Sequence, residues 1–204
     1  MNEIILASAS IGRKRLFQQY FSHFITSPSH IDETKVKLDD PRELTKKLAF
    51  FKSMAISKFY QNDFVIGLDT VVVCDGNIVG KPKDLAEAKE MLRFLSGKRQ
   101  SVITGFCIIN RTKDIIINEY AETVLYFKQL SDEFIEDYVK SHPVTKFAGG
   151  YAAQDNDDFI DIEHGDIENV IGAPMEMIIT ILREHGISET FFRDPDSDPA
   201  EASA

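Results

Sequence analysis

The chain of 204 residues is poor in cysteine, in long apolar runs and in positive charge. Its two cysteines, Cys74 and Cys107, lie in apolar runs with no C-x-x-C pair and no histidine at ligand spacing, so we expect reduced core residues. No apolar segment approaches the ~20 residues of a membrane-spanning helix. No basic region precedes Ile4 to mark a signal peptide. These absences predict a cytoplasmic protein with no membrane partner.

The shortage of positive charge limits the ligands of the protein. Lysine and arginine number 23 against 33 aspartate and glutamate residues, and the net charge is −10. Nucleic-acid binding needs a basic face that releases counterions, so we expect no nucleic-acid partner. An anionic ligand needs local help from clustered cations, from backbone N–H groups or from a divalent ion held by carboxylates.

Hydrophobic periodicity divides the chain into alternating strands and helices. Because helical crossovers occur together with antiparallel hairpins, including a turn at Asp75-Gly76, we predict an α/β fold with a mixed twisted sheet and flanking helices. We predict one domain over residues 1–187 and a disordered, polar, acidic tail over 188–204. The predicted strands are 3–8, 24–26, 64–73, 77–79, 101–110, 114–127 and 159–163, and the predicted helices are 13–21, 41–60, 85–95, one from 131, and 174–185.

Several catalytic motifs are absent. The chain has no H-E-x-x-H, no G-x-S-x-G and no G-x-G-x-x-G. The stretch from Gly76 to Lys83 resembles a P-loop, but only three residues separate its glycines and Pro82 follows its lysine, which excludes that motif. Lys81, fixed between Gly80 and Pro82, can still meet an oxyanion as a point charge. The alternative is a solvated lysine.

The opening loop, Ser8 to Lys14, joins a predicted strand to a predicted helix. A helix N-terminus offers free N–H groups and the positive end of a dipole, so two serines, a glycine and Arg13 at this junction can form a phosphate cradle. The alternative is a serine N-cap followed by surface cations.

Three further places in the sequence carry charged residues that could belong to a functional site. Asp69 interrupts the apolar run from 64 to 73, and a buried carboxylate needs hydrogen bonds, a cation or a metal; the alternative is a solvent-facing strand end. Lys52 lies beside the apolar stripe of a helix, where snorkelling is the alternative. Asp32-Glu33 can serve a hard divalent cation, or form an ordinary acidic loop.

Short motifs run in a fixed order through residues 3–185. The motifs are Leu6-Ala7-Ser8-Ala9-Ser10 with Arg13, Asp32-Glu33, Lys52, Asp69-Thr70-Val71-Val72, Gly80-Lys81-Pro82, Leu95-Ser96-Gly97, Val102-Ile103-Thr104-Gly105, Ala148-Gly149-Gly150-Tyr151-Ala152-Ala153-Gln154 and Asn169-Val170-Ile171-Gly172-Ala173-Pro174. In this order they resemble the Maf family, the septum-formation-associated nucleoside triphosphate pyrophosphatases.

The resemblance implies a hydrolase with a two-lobed fold and a cleft between the lobes. It implies cleavage of a nucleoside triphosphate between the α- and β-phosphates, with Mg²⁺ or Mn²⁺ as cofactor, by a homodimer. It makes Asp69 the proton acceptor that activates water. The other implied residues contact phosphate or metal: Ser8, Ser10, Arg13, Lys52 and Lys81 bind phosphates, and Glu33 joins Asp69 at the metal.

The resemblance also covers base preference. Thr70 and Gln154 match the branch of the family that prefers dTTP and UTP. This match implies that the substrates are pyrimidine nucleotides, including modified ones, and that the enzyme removes unwanted nucleotides from the cellular pool. Gly12 stands where the family usually has an arginine that contributes to specificity.

Two other functions remain compatible with these residues. A nucleotidyltransferase also opens with a small-residue loop and an arginine, and its release of pyrophosphate depends on an acceptor. A non-catalytic, nucleotide-binding regulator of cell division binds nucleotide without turnover.

Overall fold

The computed structural model describes residues 2–151 and 158–193. Within these residues the chain forms a seven-stranded mixed sheet with helices packed around it, as the sequence predicts. The strands are β1 (Ile4–Leu6), β2 (Ile25–Thr26), β3 (Phe64–Cys74), β4 (Asn77–Val79), β5 (Arg99–Asn110), β6 (Ile115–Phe127) and β7 (Ile160–His164), and the helices are α1 (Ile11–Tyr20), α2 (Pro41–Ser57), α3 (Leu85–Leu95), α4 (Asp132–Ser141), α5 (Ile167–Ile171) and α6 (Met175–Glu184). No helix among them is long and apolar enough to cross a membrane.

The strands follow the order β2-β1-β3-β5-β6-β7. β1 is parallel to β2 and β3, whereas β3, β5, β6 and β7 form antiparallel pairs. β5 covers one edge of β3 from Val65 to Val73. The other edge is shared, because β1 pairs with residues 64–66 and β4 with residues 72–74. Residues 67–71 therefore border a gap in the sheet, where backbone carbonyl groups are available to side chains.

Two glycines bring α2 close to the sheet. A Cβ atom on Gly67 would lie 2.4 Å from the carbonyl oxygen of Ala49, and one on Gly105 would lie 2.3 Å from the carbonyl carbon of Thr45. A larger residue at either position would push the helix away. Because side chains alternate along a strand, Asp69 faces α2 just as Gly67 does.

The opposite face of β3 contributes to two hydrophobic clusters. Phe64, Ile66 and Leu68 pack in a cluster with α1 and α6, whereas Val72 packs in a second cluster with α3 and α4. Thr70 lies between the two clusters on this face. The two-lobed shape with a cleft stays a prediction, and the middle of β3 lies between the two clusters.

Most predicted elements are confirmed, with ends shifted by a few residues. The hairpin turn at Asp75-Gly76 joins β3 to β4, and φ is positive at both of its residues. Asp84 caps α3 by accepting a hydrogen bond from the backbone N–H of Glu87. α5 is absent from the sequence prediction because five residues give too little periodicity to identify a helix.

The C-terminal boundary differs from the prediction. The sequence predicts disorder from residue 188, but residues 188–193 pack against the fold. Glu189–Phe191 forms a 3₁₀ turn, Phe191 is buried, and Phe192 forms a β-bridge with Phe21. The two phenylalanines supply apolar burial to an otherwise polar segment. Residues 194–204 lie outside the described ranges.

Candidate active site

Asp69 lies in the middle of β3, beside the gap in its edge. Only 7% of the residue is exposed. Its Oδ1 atom lies 2.6 Å from Nζ of Lys52, whereas Oδ2 accepts no hydrogen bond from the described residues. Burial raises the pKa of Asp69 above its ordinary value because the charged form loses hydration, and the charges of Lys52 and Arg13 oppose that rise. Asp69 therefore has one committed oxygen and one available oxygen, as a proton acceptor requires.

Lys52 lies on the buried face of α2, and its ammonium group is inside the protein. Nζ lies 2.6 Å from Oδ1 of Asp69 and 2.9 Å from Oε1 of Glu33. It also donates to the carbonyl oxygen of Leu68 at 3.3 Å. The three N–H donors of the ammonium thus match three acceptors. The snorkelling alternative is wrong, because the charged end of the side chain is enclosed instead of lying in water.

The acidic pair Asp32-Glu33 divides between two roles. Asp32 caps a short 3₁₀ turn, since its Oδ1 accepts from the backbone N–H and the hydroxyl of Thr34. Glu33 reaches Lys52 and remains half-exposed. Burial alone raises the pKa of Glu33, but the charges of three basic side chains, Lys52 first, together outweigh burial and lower it. Of the pair, Glu33 is the residue that joins the buried charges.

Arg13 clamps three parts of the fold. Its Nε donates to the carbonyl oxygen of Gly172 at 2.8 Å, Nη1 to that of Leu68 at 2.9 Å, and Nη2 to Oγ1 of Thr70 at 2.8 Å. Burial lowers the pKa of Arg13, with Asp69 opposing, and a guanidinium stays protonated in proteins. Arg13 therefore supplies positive charge, but several of its N–H groups are committed to acceptors within the protein.

In the opening loop a serine caps the helix, and free backbone N–H groups remain beside it. Ser10 is the N-cap of α1 and accepts from the backbone N–H of Arg13 at 3.4 Å. Ser8 accepts from the backbone N–H of Ser10 at 3.2 Å and from Nη1 of Arg13 at 3.4 Å. The N–H groups of Ile11 and Gly12 donate to no acceptor in the described part of the chain. Two free donors at a helix N-terminus retain the capacity to bind an anion.

Thr70 points to the face of β3 opposite Asp69. Its Oγ1 accepts from Arg13 and lies 2.9 Å from Oγ1 of Thr104, which donates to the carbonyl oxygen of Asn169 at 3.0 Å. The sequence interpretation used Thr104 and Asn169 only as members of motifs and assigned them no role. The signal that could have found Thr104 is the one that found Asp69, a polar side chain within an apolar run, here residues 102–109 of β5.

Lys81 lies outside the hydrogen bonds and ion pairs that connect Arg13, Lys52 and Asp69. Lys81 is exposed just after β4 and makes no hydrogen bond or ion pair with the described residues. Its charge nevertheless contributes to the lowered pKa of Glu33, so it belongs to the electrostatic surroundings of the site. Gln154 lies outside the described residues.

Sequence comparison relates this chain to known proteins. A family model described as Maf-like protein matches residues 3–185. The chain belongs to the Maf family. The dTTP/UTP pyrophosphatase of Pyrococcus furiosus is 40% identical over 184 residues, which cover 89% of this chain and 95% of the relative. The dTTP/UTP pyrophosphatase of Clostridioides difficile is 38% identical over 190 residues, which cover 93% of this chain and 98% of the relative.

The fold of this Maf-family chain is also found in a more distant protein. A HAM1 protein from Coxiella burnetii has a solved structure that superposes with a TM-score of 0.51 at 17% sequence identity. The match covers 90% of this chain and 100% of the other. At this identity the likeness supports the fold alone.

Proposed function

We propose that this Maf-family protein hydrolyses nucleoside triphosphates to nucleoside monophosphates and pyrophosphate, with dTTP, UTP or modified pyrimidine nucleotides preferred. The names of the relatives support the activity and the base preference. The observation that carries the proposal is the Lys52 ammonium enclosed between the carboxylates of Glu33 and Asp69. Such a cluster offers both a buried base and cation-binding oxygens, next to a helix N-terminus with free N–H groups.

In the proposed mechanism Asp69 accepts the proton of the attacking water through Oδ2. Lys52 holds Oδ1 and so fixes the orientation of the carboxylate. Positioning of the nucleophile and general-base assistance are separate contributions, and a base within hydrogen-bond reach adds about 10²–10⁴-fold. The raised pKa of Asp69 makes it a better proton acceptor than an exposed aspartate once it is ionised.

Positive charge in the proposed site neutralises the triphosphate. Lys81 is exposed and uncommitted to the described residues, which favours it as a direct phosphate ligand. Lys52 and Arg13 supply charge from buried positions, and the free N–H groups of Ile11 and Gly12 add donors without side-chain entropy. Ser8 and Ser10 support this loop through their hydroxyl groups. Charges fixed in advance of the reaction stabilise the transition state most effectively.

Glu33 and Asp69 are the residues proposed to hold a divalent cation, Mg²⁺ or Mn²⁺. Hard divalent cations prefer carboxylate oxygens, and each of these two carboxylates has a second oxygen besides the one that contacts Nζ of Lys52. Magnesium is commonly held by one or two carboxylates together with substrate phosphates. No group of three or more candidate metal ligands occurs in the described ranges, and two carboxylates suffice for this mode. When bound, the metal supplies charge stabilisation of phosphate oxygens.

The proposal also covers the location and assembly of the protein and the residues that set its base preference. We expect a cytoplasmic homodimer without a nucleic-acid or membrane partner, in which the catalytic domain of residues 1–187 is extended by the packed segment 188–193. Thr70 and Gln154 are proposed to set base preference. Gly12 stands where the family usually has an arginine, and it is proposed to contribute to base preference as well. We therefore expect Gly12→Arg to change which nucleotides are hydrolysed fastest.

The proposed reaction is tested by pyrophosphate release from dTTP, UTP, CTP, GTP and ATP with Mg²⁺ or Mn²⁺ and no acceptor. We expect pyrophosphate and monophosphate in equal amounts, fastest from dTTP and UTP. Strict dependence on an added acceptor contradicts the proposal and indicates a nucleotidyltransferase. Nucleotide binding without any turnover contradicts it as well and indicates a non-catalytic regulator of cell division.

A further inference from the structure

Thr104 is a fully buried residue of β5 that contacts the face of β3 opposite Asp69. It lies directly across from Thr70 in the antiparallel register of β3 and β5. Its hydroxyl is the middle member of a chain of contacts from Arg13 through Thr70 to the carbonyl oxygen of Asn169. The mechanism proposed above uses Thr70 and Arg13 but gives Thr104 no role.

The chemistry of the end groups fixes the direction of this chain. Arg13 can only donate, and the carbonyl oxygen of Asn169 can only accept. A hydroxyl has one hydrogen, so when Thr104 donates to Asn169 it accepts from Thr70. The hydrogen of Thr70 is then used. This assignment is the one in which all three contacts are hydrogen bonds.

The consequence is a polarised hydroxyl on Thr70. A hydroxyl oxygen has two acceptor positions, and Arg13 occupies one of them at 2.8 Å. With its hydrogen held by Thr104, Thr70 has only acceptor capacity left for a ligand. Uracil and thymine carry a donor N–H at ring position N3, whereas cytosine carries an acceptor there. At ring position N3, a group that can only accept pairs with uracil and thymine and leaves the acceptor of cytosine without a partner.

We propose that Thr104 is a specificity-positioning residue: by holding the hydrogen of Thr70, it makes Thr70 select uracil and thymine nucleotides over cytosine nucleotides. The inference rests on the proposed function, in which Thr70 contributes to base preference. Thr104 itself touches no substrate. It acts through Thr70, so its removal changes the choice between bases more than the rate for every base.

The test compares UTP with CTP in the wild type and in Thr104→Val. Removing the Thr104 hydroxyl frees the Thr70 hydrogen to donate to N3 of cytosine. We expect the ratio of kcat/KM for UTP to that for CTP to fall about tenfold, the size of one hydrogen bond's contribution. We expect the same fall in the ratio of affinities, measured by titration of each nucleotide in EDTA, where no turnover occurs.

Three variants act as controls. Thr104→Ser keeps the hydroxyl and must restore the wild-type ratio. Thr104→Ala removes the hydroxyl without adding a methyl group near Thr70, and gives the test if Thr104→Val does not fold. Thr45→Val removes another fully buried hydroxyl, one bonded only within α2, and must leave the ratio unchanged. The carbonyl oxygen of Asn169 keeps the N–H of Gly172 as a partner at 3.0 Å, so loss of the Thr104 hydroxyl leaves it satisfied.

The outcomes separate this inference from the proposed function. A ratio unchanged in Thr104→Val and Thr104→Ala overturns the inference, and so does an equal loss for UTP and CTP. If the wild type releases no pyrophosphate from any nucleotide, the proposed function fails. The affinity ratio in EDTA then still decides the role of Thr104.

Discussion

The two faces of β3 carry neighbouring polar residues in opposite chemical settings. Asp69 points toward α2, where its partner is the buried ammonium of Lys52. Thr70 points the other way, where its hydroxyl lies between Arg13 and Thr104. One face holds ionised groups with a free carboxylate oxygen, and the other holds a directed chain of hydrogen bonds.

This difference suggests a division of work within one strand. A buried carboxylate with a raised pKa and an available oxygen suits proton transfer. A hydroxyl whose donor and acceptor positions are assigned by its neighbours suits selection among bases. The carbonyl group of Leu68 joins the two faces, because it accepts from both Lys52 and Arg13. That carbonyl is available because β1 ends before it and β4 begins beyond it.

We call the face of β3 that carries Asp69, together with Lys52 and Glu33, the charged face. Asp69→Asn produces the largest expected effect, and it removes a charge from this face only. An amide cannot accept the proton of water, so we expect turnover of UTP to fall about 10²–10⁴-fold. The protein remains folded because Lys52 keeps Glu33 and Leu68 as partners. Steady-state pyrophosphate release and circular dichroism measure the two parts. Asp75→Asn, at the exposed β3–β4 turn, is the control, and turnover near the wild-type rate in Asp69→Asn removes Asp69 from the base role.

Lys52→Met is expected to change the pH dependence of turnover, because Lys52 affects the pKa of Asp69. Burial raises the pKa of Asp69 and Lys52 opposes that rise, so removing Lys52 raises the pKa further. Asp69 must be ionised to accept a proton, and the acid limb of kcat/KM against pH therefore moves to higher pH. Lys46→Met, on the same helix and paired with exposed Glu43, is expected to leave the limb in place. A limb that stays fixed or moves to lower pH in Lys52→Met contradicts the account.

Gly67→Ala has the smallest expected effect, acting through the position of α2. The added Cβ meets the carbonyl oxygen of Ala49 at 2.4 Å, and the helix must shift. We expect a loss of about 1–3 kcal/mol in the free energy of unfolding and lower turnover, with the preference between UTP and CTP retained. Gly80→Ala, where a Cβ meets nothing within 4 Å, is the matched control for denaturant unfolding. Equal stability of the two variants would show that close packing of α2 is unimportant.

The sequence contained enough to predict the fold class and the charged face. Asp69 stood out because an apolar run rarely accommodates a carboxylate without a partner. The partner itself required the fold, because Lys52 reaches Asp69 only when α2 packs against Gly67, and Glu33 reaches Lys52 only because the 3₁₀ turn lies beside it.

The face of β3 that carries Thr70 was harder to predict. Its members come from α1, β3, β5 and α5, and their contacts depend on strand register and on backbone carbonyl groups that carry no sequence signal. Thr104 pairs with Thr70 only because β3 and β5 align in one register. The hydrogen bonds from Arg13 to the carbonyl oxygens of Gly172 and Leu68 could not be predicted either. A sequence does not show which backbone groups a strand leaves free.

The division between the two faces is tested most directly by the UTP-to-CTP ratio of kcat/KM in Lys52→Met and Thr70→Val. The account predicts that Lys52→Met lowers kcat/KM for both nucleotides by the same factor and leaves the ratio unchanged. It predicts that Thr70→Val, which removes the polarised hydroxyl, lowers the ratio about tenfold while kcat for CTP changes little. A ratio altered by Lys52→Met, or preserved in Thr70→Val, would contradict the assignment of chemistry to one face of β3 and selection to the other.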